Sequence, residues 1–119
     1  MTTSLRAQGE QIVRGALRAV LPDEAVRRAL KDAHFPGRVF LVAAGKAAWQ
    51  MASVAREALP EIAGGVAVTK YGHVKGEIDG VACYEGGHPV PDENSLRGTK
   101  AALALTEHPV SYTHLTLPT

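Results

Sequence analysis

Apolar positions recur at two different periods along this chain, and each change of period marks an element. Leu5, Ile12, Val13, Ala16, Leu17 and Val20 fall at helical spacing with arginines and glutamines between them, which predicts an amphipathic first helix. The segment "LPDEAVRRALK" predicts a second. Pro22 suits its first turn, Asp23 and Glu24 complement the positive helix start, and Arg27, Arg28 and Lys31 sit toward the negative end. Pro36 and Gly37 in "HFPGR" then stop the helical pattern.

Residues 39–44 are continuously apolar and partly β-branched. A run without alternation predicts a strand buried on both faces, as in a parallel sheet covered by helices. Residues 47–59 consist of strong helix formers and meet no Gly or Pro before Pro60. Residues 66–69 predict a second short strand, 81–84 a weaker third, and 95–106 a last long helix. Between the last strand and that helix, "EGGHPVPDENS" is loop composition. Strands alternating with helices predict βαβ units and an α/β fold with a mainly parallel sheet. An average sheet has about five strands, so a sheet of three is expected to be truncated.

Bulk properties narrow this picture in a few ways. The 119 residues are the size of one domain. Thirteen Lys and Arg against twelve Asp and Glu leave a net charge of +1. No basic run stands out, so neither nucleic acid nor an anionic membrane is an expected partner. A single cysteine, Cys83, has no internal disulfide partner, which favours a reducing compartment. The first twenty residues lack the apolar core of a signal peptide, and no segment approaches the ~20 apolar residues of a membrane span. A cytoplasmic protein is expected.

Candidate chemistry concentrates at the strand-to-helix junction "AAGKAA". Gly45 permits unusual backbone angles and a close ligand approach. The amides at the start of the next helix form an anion site, and in a parallel α/β sheet this point lies at the carboxyl end of a strand, where ligands bind. A helix start already carries partial positive charge, so Lys46 is electrostatically out of place there unless an anion joins it. The alternative is that Lys46 reaches into solvent and tolerates a cost of a few tenths of a kcal/mol. The junction is neither G-x-x-x-x-G-K-[ST] nor G-x-G-x-x-G.

Two other loops are of interest. In "EGGHPVPDENS", Pro89 and Pro91 hold their preceding residues extended, and Gly86 and Gly87 allow a tight turn. His88 is a hydrogen-bonding or acid–base candidate, and Asp92, Asn94 or Ser95 caps the helix that follows. "TKYGH" brings Lys70 and His73 to the end of another strand, though a solvated turn is the simpler account of it. Neither His nor Cys residues show metal-ligand spacing. Trp49 and Met51 are read as packing residues.

In this order, "VAAGKAAWQMA", "GVAVTKYGH" and "EGGHPVPDENSLRGTKAAL" resemble the amino-terminal domain of the bacterial and archaeal glycerate 2-kinases, a family often labelled hydroxypyruvate reductase. The resemblance covers roughly residues 5–108. It implies a Rossmann-like, three-layer α/β domain, one of two flanking an active-site cleft. It also implies transfer of the γ-phosphoryl group of ATP, with a divalent metal such as Mg²⁺, to the 2-hydroxyl of D-glycerate. Lys46 corresponds to the family's active-site lysine, and residues 87–92 to a loop near the cleft. On this basis Lys46 is the catalytic candidate, and Gly45, Lys46, His88 and Asp92 are the substrate-binding candidates. Family members continue with a buried strand, an S-G-G-G-S-A-like loop and a long carboxyl-terminal domain. This chain has none of them, so residues 1–110 are expected to form a partial domain that is inactive by itself. Residues 111–119, "SYTHLTLPT", fit no family segment and are expected to be a non-native tail. Two other readings stay open: an NAD(P)-dependent hydroxypyruvate reductase, and a non-catalytic module for a small anion.

Overall fold

The structure is a computed structural model that describes residues 4–107. The expected domain boundary at residue 110 and the expected tail lie outside the described residues. Seven elements follow in the order α1 (Leu5–Val20), α2 (Asp23–Leu30), β1 (Phe40–Ala44), α3 (Ala48–Ala58), β2 (Gly64–Lys70), β3 (Ala82–Gly86) and α4 (Glu93–Thr106). The three strands form one sheet in the order β1-β2-β3, and both pairings are parallel, with Ala43 opposite Ala67 and Ala67 opposite Cys83. This is the α/β architecture that the alternation of patterns predicts.

Period-two alternation divides the sheet between two helices. On one face Leu41, Ala43, Ala67 and Cys83 meet Ala52 and Trp49 of α3, with Ile78 and Val81 from the β2–β3 connection closing the cluster. That connection has no helix. Trp49 Nε1 donates to the Gly76 carbonyl at 2.9 Å, and Arg56 donates to the Asp79 carbonyl at 3.0 Å and pairs with its carboxylate at 3.2 Å. The other face is covered by α4, which packs on β2 and β3. Gly98 of α4 lies directly against Val68 and Tyr84.

The expectation that the first strand is buried on both faces does not hold. β1 is an edge strand, and Val42 remains 46% exposed because α4 sits over the other two strands. The continuous apolar run reflects residue choice at an edge, whereas β2, in the centre, is the strand enclosed on both sides. α2 packs on α3, and Gln50 Nε2 donates to both carboxylate oxygens of Asp23 at 3.0 Å. α1 is capped by the Ser4 hydroxyl, which accepts from the Ala7 amide, but none of its residues is buried. No helix among the described residues is long and apolar enough to cross a membrane.

Candidate functional site

All three strands run the same way, so the segments after β1, β2 and β3 emerge at one end of the sheet. They are the Gly45–Lys46 turn, the Tyr71–His73 turn and the Gly87–Asp92 loop. Gly45 has φ +120°, a conformation L side chains rarely adopt, so glycine is needed for the chain to leave β1 in this direction. The Gly45 amide donates to the Val68 carbonyl at 3.0 Å, which extends the sheet one step past β1. α3 then starts at Ala48 with Ala47 as its N-cap and without a side-chain cap; the Ala48 amide donates to the Gly45 carbonyl at 3.1 Å, and the remaining first-turn amides are left for solvent or a ligand. Lys46 is exposed, and among the described residues its ammonium enters no salt bridge.

The carbonyl of Lys46, by contrast, is held from below. Thr69, 5% exposed, aims its hydroxyl at it from 3.4 Å, and His73 Nδ1 lies 3.1 Å away. His73 is itself fixed through its backbone: the Glu85 carboxylate accepts from the His73 amide at 3.0 Å and from the Val74 amide at 3.2 Å.

The third loop is stapled to the second. Asp92 caps α4 in a reciprocal box: Oδ1 accepts from the Ser95 amide at 3.1 Å, and the Ser95 hydroxyl accepts from the Asp92 amide at 3.1 Å. Its Oδ2 accepts from the Tyr71 hydroxyl at 2.7 Å, and that hydroxyl accepts from Asn94 Nδ2 at 2.8 Å. The Tyr71 hydroxyl and the Ser95 amide stabilise the ionised carboxylate, so the Asp92 pKa is lowered to about 2. The same bond to Asp92 raises the Tyr71 pKa. Gly87 makes this loop feasible, because a Cβ there would meet the Val90 carbonyl and sit 3.2 Å from Asp92 Oδ2. The His88–Pro89 peptide is cis, and His88 is exposed at the loop's outer surface.

A depressed carboxylate pKa has a definite sign in stability. The folded state favours ionised Asp92. Its contribution is therefore complete above the unfolded carboxylate value of about 3.9 and is lost as pH falls through the folded value of about 2. Urea unfolding at pH 6 and pH 2.5 should show Asp92→Asn less stable than the parent at pH 6, with a clearly smaller gap at pH 2.5. A gap of equal size at both values would disprove the assignment.

Of the four residues singled out in the sequence, Gly45 and Lys46 stand together at an open helix start. His88 and Asp92 share the neighbouring loop, with Asp92 engaged by the chain's own donors. Tyr71, His73, Thr69 and Glu85 tie the loops together and carry no spacing signal of their own. Only the position of "TKYGH" after a strand pointed toward one of them, His73. A surface concavity of about 920 Å³ lined by Val74, Ile78, Val81 and Cys83 flanks β3 instead, and no anion-binding group lines it.

Fold and site together define an α/β domain whose parallel strands deliver a glycine–lysine turn and two stapled loops to one end of the sheet. Residues 8–117 match a family model described as a domain of unknown function, DUF4147, and the chain belongs to that family. It is 49% identical over 105 residues to a D-glycerate 2-kinase of Thermotoga maritima, a match covering 87% of this chain and 25% of the relative. It is 38% identical over 112 residues to a glycerate 2-kinase of Pyrococcus horikoshii, covering 85% and 25%. The crystal structure of the Thermotoga maritima glycerate kinase superposes with a TM-score of 0.74 at 49% identity, over 82% of this chain and 24% of that one. The chain thus spans about a quarter of the length of these relatives.

Proposed function

We propose that these residues form one wall of the active-site cleft of an ATP-dependent glycerate 2-kinase. In this reading the Gly45–Lys46 turn holds the carboxylate of D-glycerate or the phosphoryl group passing to its 2-hydroxyl. The observation that carries the proposal is an exposed lysine that enters no salt bridge among the described residues, at the start of α3 where no side chain caps the helix, in a chain whose relatives are named for glycerate phosphorylation. Phosphoryl transfer depends on positioning and charge neutralisation, and in this reading helix amides supply the first and the Lys46 ammonium the second. His88 reaches the substrate from the neighbouring loop, and Asp92 serves binding by keeping that loop in place.

In this reading the nucleotide and its Mg²⁺ are assigned to the opposite wall of the cleft, the carboxyl-terminal domain that the family resemblance implies, and no step is routed through them here. The isolated chain has no kinase activity in this reading. Its free cysteine fits a cytoplasmic setting.

The test is a coupled assay on a polypeptide of the relatives' full length that carries these residues. With ATP, Mg²⁺ and D-glycerate it should release ADP and 2-phosphoglycerate, while the 119-residue chain alone should not. Oxidation of NADH with hydroxypyruvate, without ADP release, would replace the kinase reading by the reductase. Robust turnover by the short chain would show that it needs no second wall.

A further inference from the structure

We propose that His73 is a positioning residue for the Lys46 turn, acting by orienting the peptide that joins Lys46 to Ala47; the inference rests on the anion-site reading above. A backbone carbonyl only accepts hydrogen bonds. At 3.1 Å from the Lys46 oxygen, His73 Nδ1 must therefore carry the proton, and in the neutral ring Nε2 is left as an acceptor. This is the reverse of the tautomer a solvated imidazole favours.

The consequence lies on the far side of the peptide. In a planar trans peptide the carbonyl and the following N–H point in opposite directions. With its oxygen held toward β2 by His73 and Thr69, this peptide turns the Ala47 amide away from the sheet and out at the exposed start of α3. There it joins the first-turn amides and the Lys46 side chain on one anion. Without the restraint the peptide joining Lys46 to Ala47 is free to rotate, and the Ala47 amide turns with it.

His73 is well placed to impose this because it is not a free loop residue. Its amide and that of Val74 share the Glu85 carboxylate at 3.0 and 3.2 Å, and its amide also lies 3.2 Å from the Lys70 carbonyl. The chain thus runs β3 carboxylate, His73 backbone, His73 ring, Lys46 carbonyl, Ala47 amide. The ring bridges 27 residues of sequence, and no local propensity would supply that link.

The experiment uses the 119-residue chain labelled with ¹⁵N and titrated with inorganic phosphate. Long-range ¹H–¹⁵N spectra should show His73 as the Nδ1–H tautomer at neutral pH, and phosphate should shift the Ala47 amide. His73→Ala should bind phosphate roughly tenfold more weakly, about the value of one hydrogen bond. Asparagine places an N–H near the Nδ1 position and glutamine near Nε2. His73→Asn should therefore recover most of the affinity and His73→Gln should not, a difference that a purely structural role would not produce. An Nε2–H tautomer, or equal affinities for His73→Asn and His73→Gln, overturns the proposal. If His73→Ala binds as the parent does while Lys46→Ala does not, only this inference fails. If the parent binds no phosphate at all, the anion-site reading fails and takes this one with it.

Discussion

In a full-length protein carrying this sequence, Lys46→Ala is expected to lower kcat by about 10²- to 10³-fold, the usual cost of removing one preorganised charge-stabilising donor. Its effect on folding should be the opposite of its effect on turnover. Lys46 is exposed, enters no salt bridge among the described residues, and precedes a helix start. A cation in that position costs about 0.3–1 kcal/mol through the helix dipole, so the alanine variant should melt at the same temperature or slightly higher. The solvent-reaching alternative predicts no kinetic loss at all. Lys46→Arg separates charge from geometry: its fork is larger and less strongly hydrated than an ammonium, so it should recover part of the lost rate. The short chain gives a parallel readout, since Lys46→Ala should lose phosphate binding, and the parent's binding should weaken with salt as an exposed cation is screened. Turnover within twofold of the parent would end the case for Lys46 as the anion's partner.

The parts of this molecule visible in sequence are those set by local rules. The helix periods placed α1 at Leu5–Val20, and the run of helix formers placed α3 to within a residue at each end. Asp92 was one of three candidates for the cap of α4, and only coordinates distinguish it from Asn94, which instead reaches Tyr71. What escaped is non-local. Tyr71 meets Asp92 across 21 residues, and His73 meets the Lys46 carbonyl across 27. Such pairs exist because parallel strands place their exits side by side, and no spacing rule encodes them. β1 was misread for a related reason: an apolar run signals enclosure only if another element covers the strand, and here α4 crosses the neighbours. The apolar stripe of α1 was legible, but its burial was not; Leu5 and Ile12 are 86% and 71% exposed.

Gly98→Val should strongly destabilise the fold. A glycine in the body of a helix costs about 1 kcal/mol relative to alanine, so its use in α4 calls for a packing reason. That reason is contact: a Cβ at Gly98 would lie 2.8 Å from Val68 Cγ2 and 3.0 Å from Tyr84 Cβ. Neither neighbour yields cheaply. Val68 is β-branched and stiff at χ1, and the Tyr84 Cβ moves only with the backbone of β3. For Gly98→Ala, the gain in helix propensity and the clash are of similar size and partly offset each other. Valine adds two more methyl groups and lowers helix propensity, so α4 must lift from β2 and β3. Overpacking of this kind costs about 1–3 kcal/mol and sometimes more. For a domain of this size that corresponds to a fall in melting temperature of roughly 5–20 °C. The damage should also travel to the site. α4 begins at the Asp92 cap, and Asp92 holds Tyr71, so displacing the helix loosens the His88 loop while leaving the β1 turn and His73 in place. Thermal unfolding by circular dichroism tests the first part. The double variant Val68→Ala with Gly98→Ala tests the cause, because removing the γ-methyl groups should make it more stable than the sum of the two single changes. Strict additivity, or an unchanged melting temperature for Gly98→Val, would mean that α4 is not held at the distance this glycine implies.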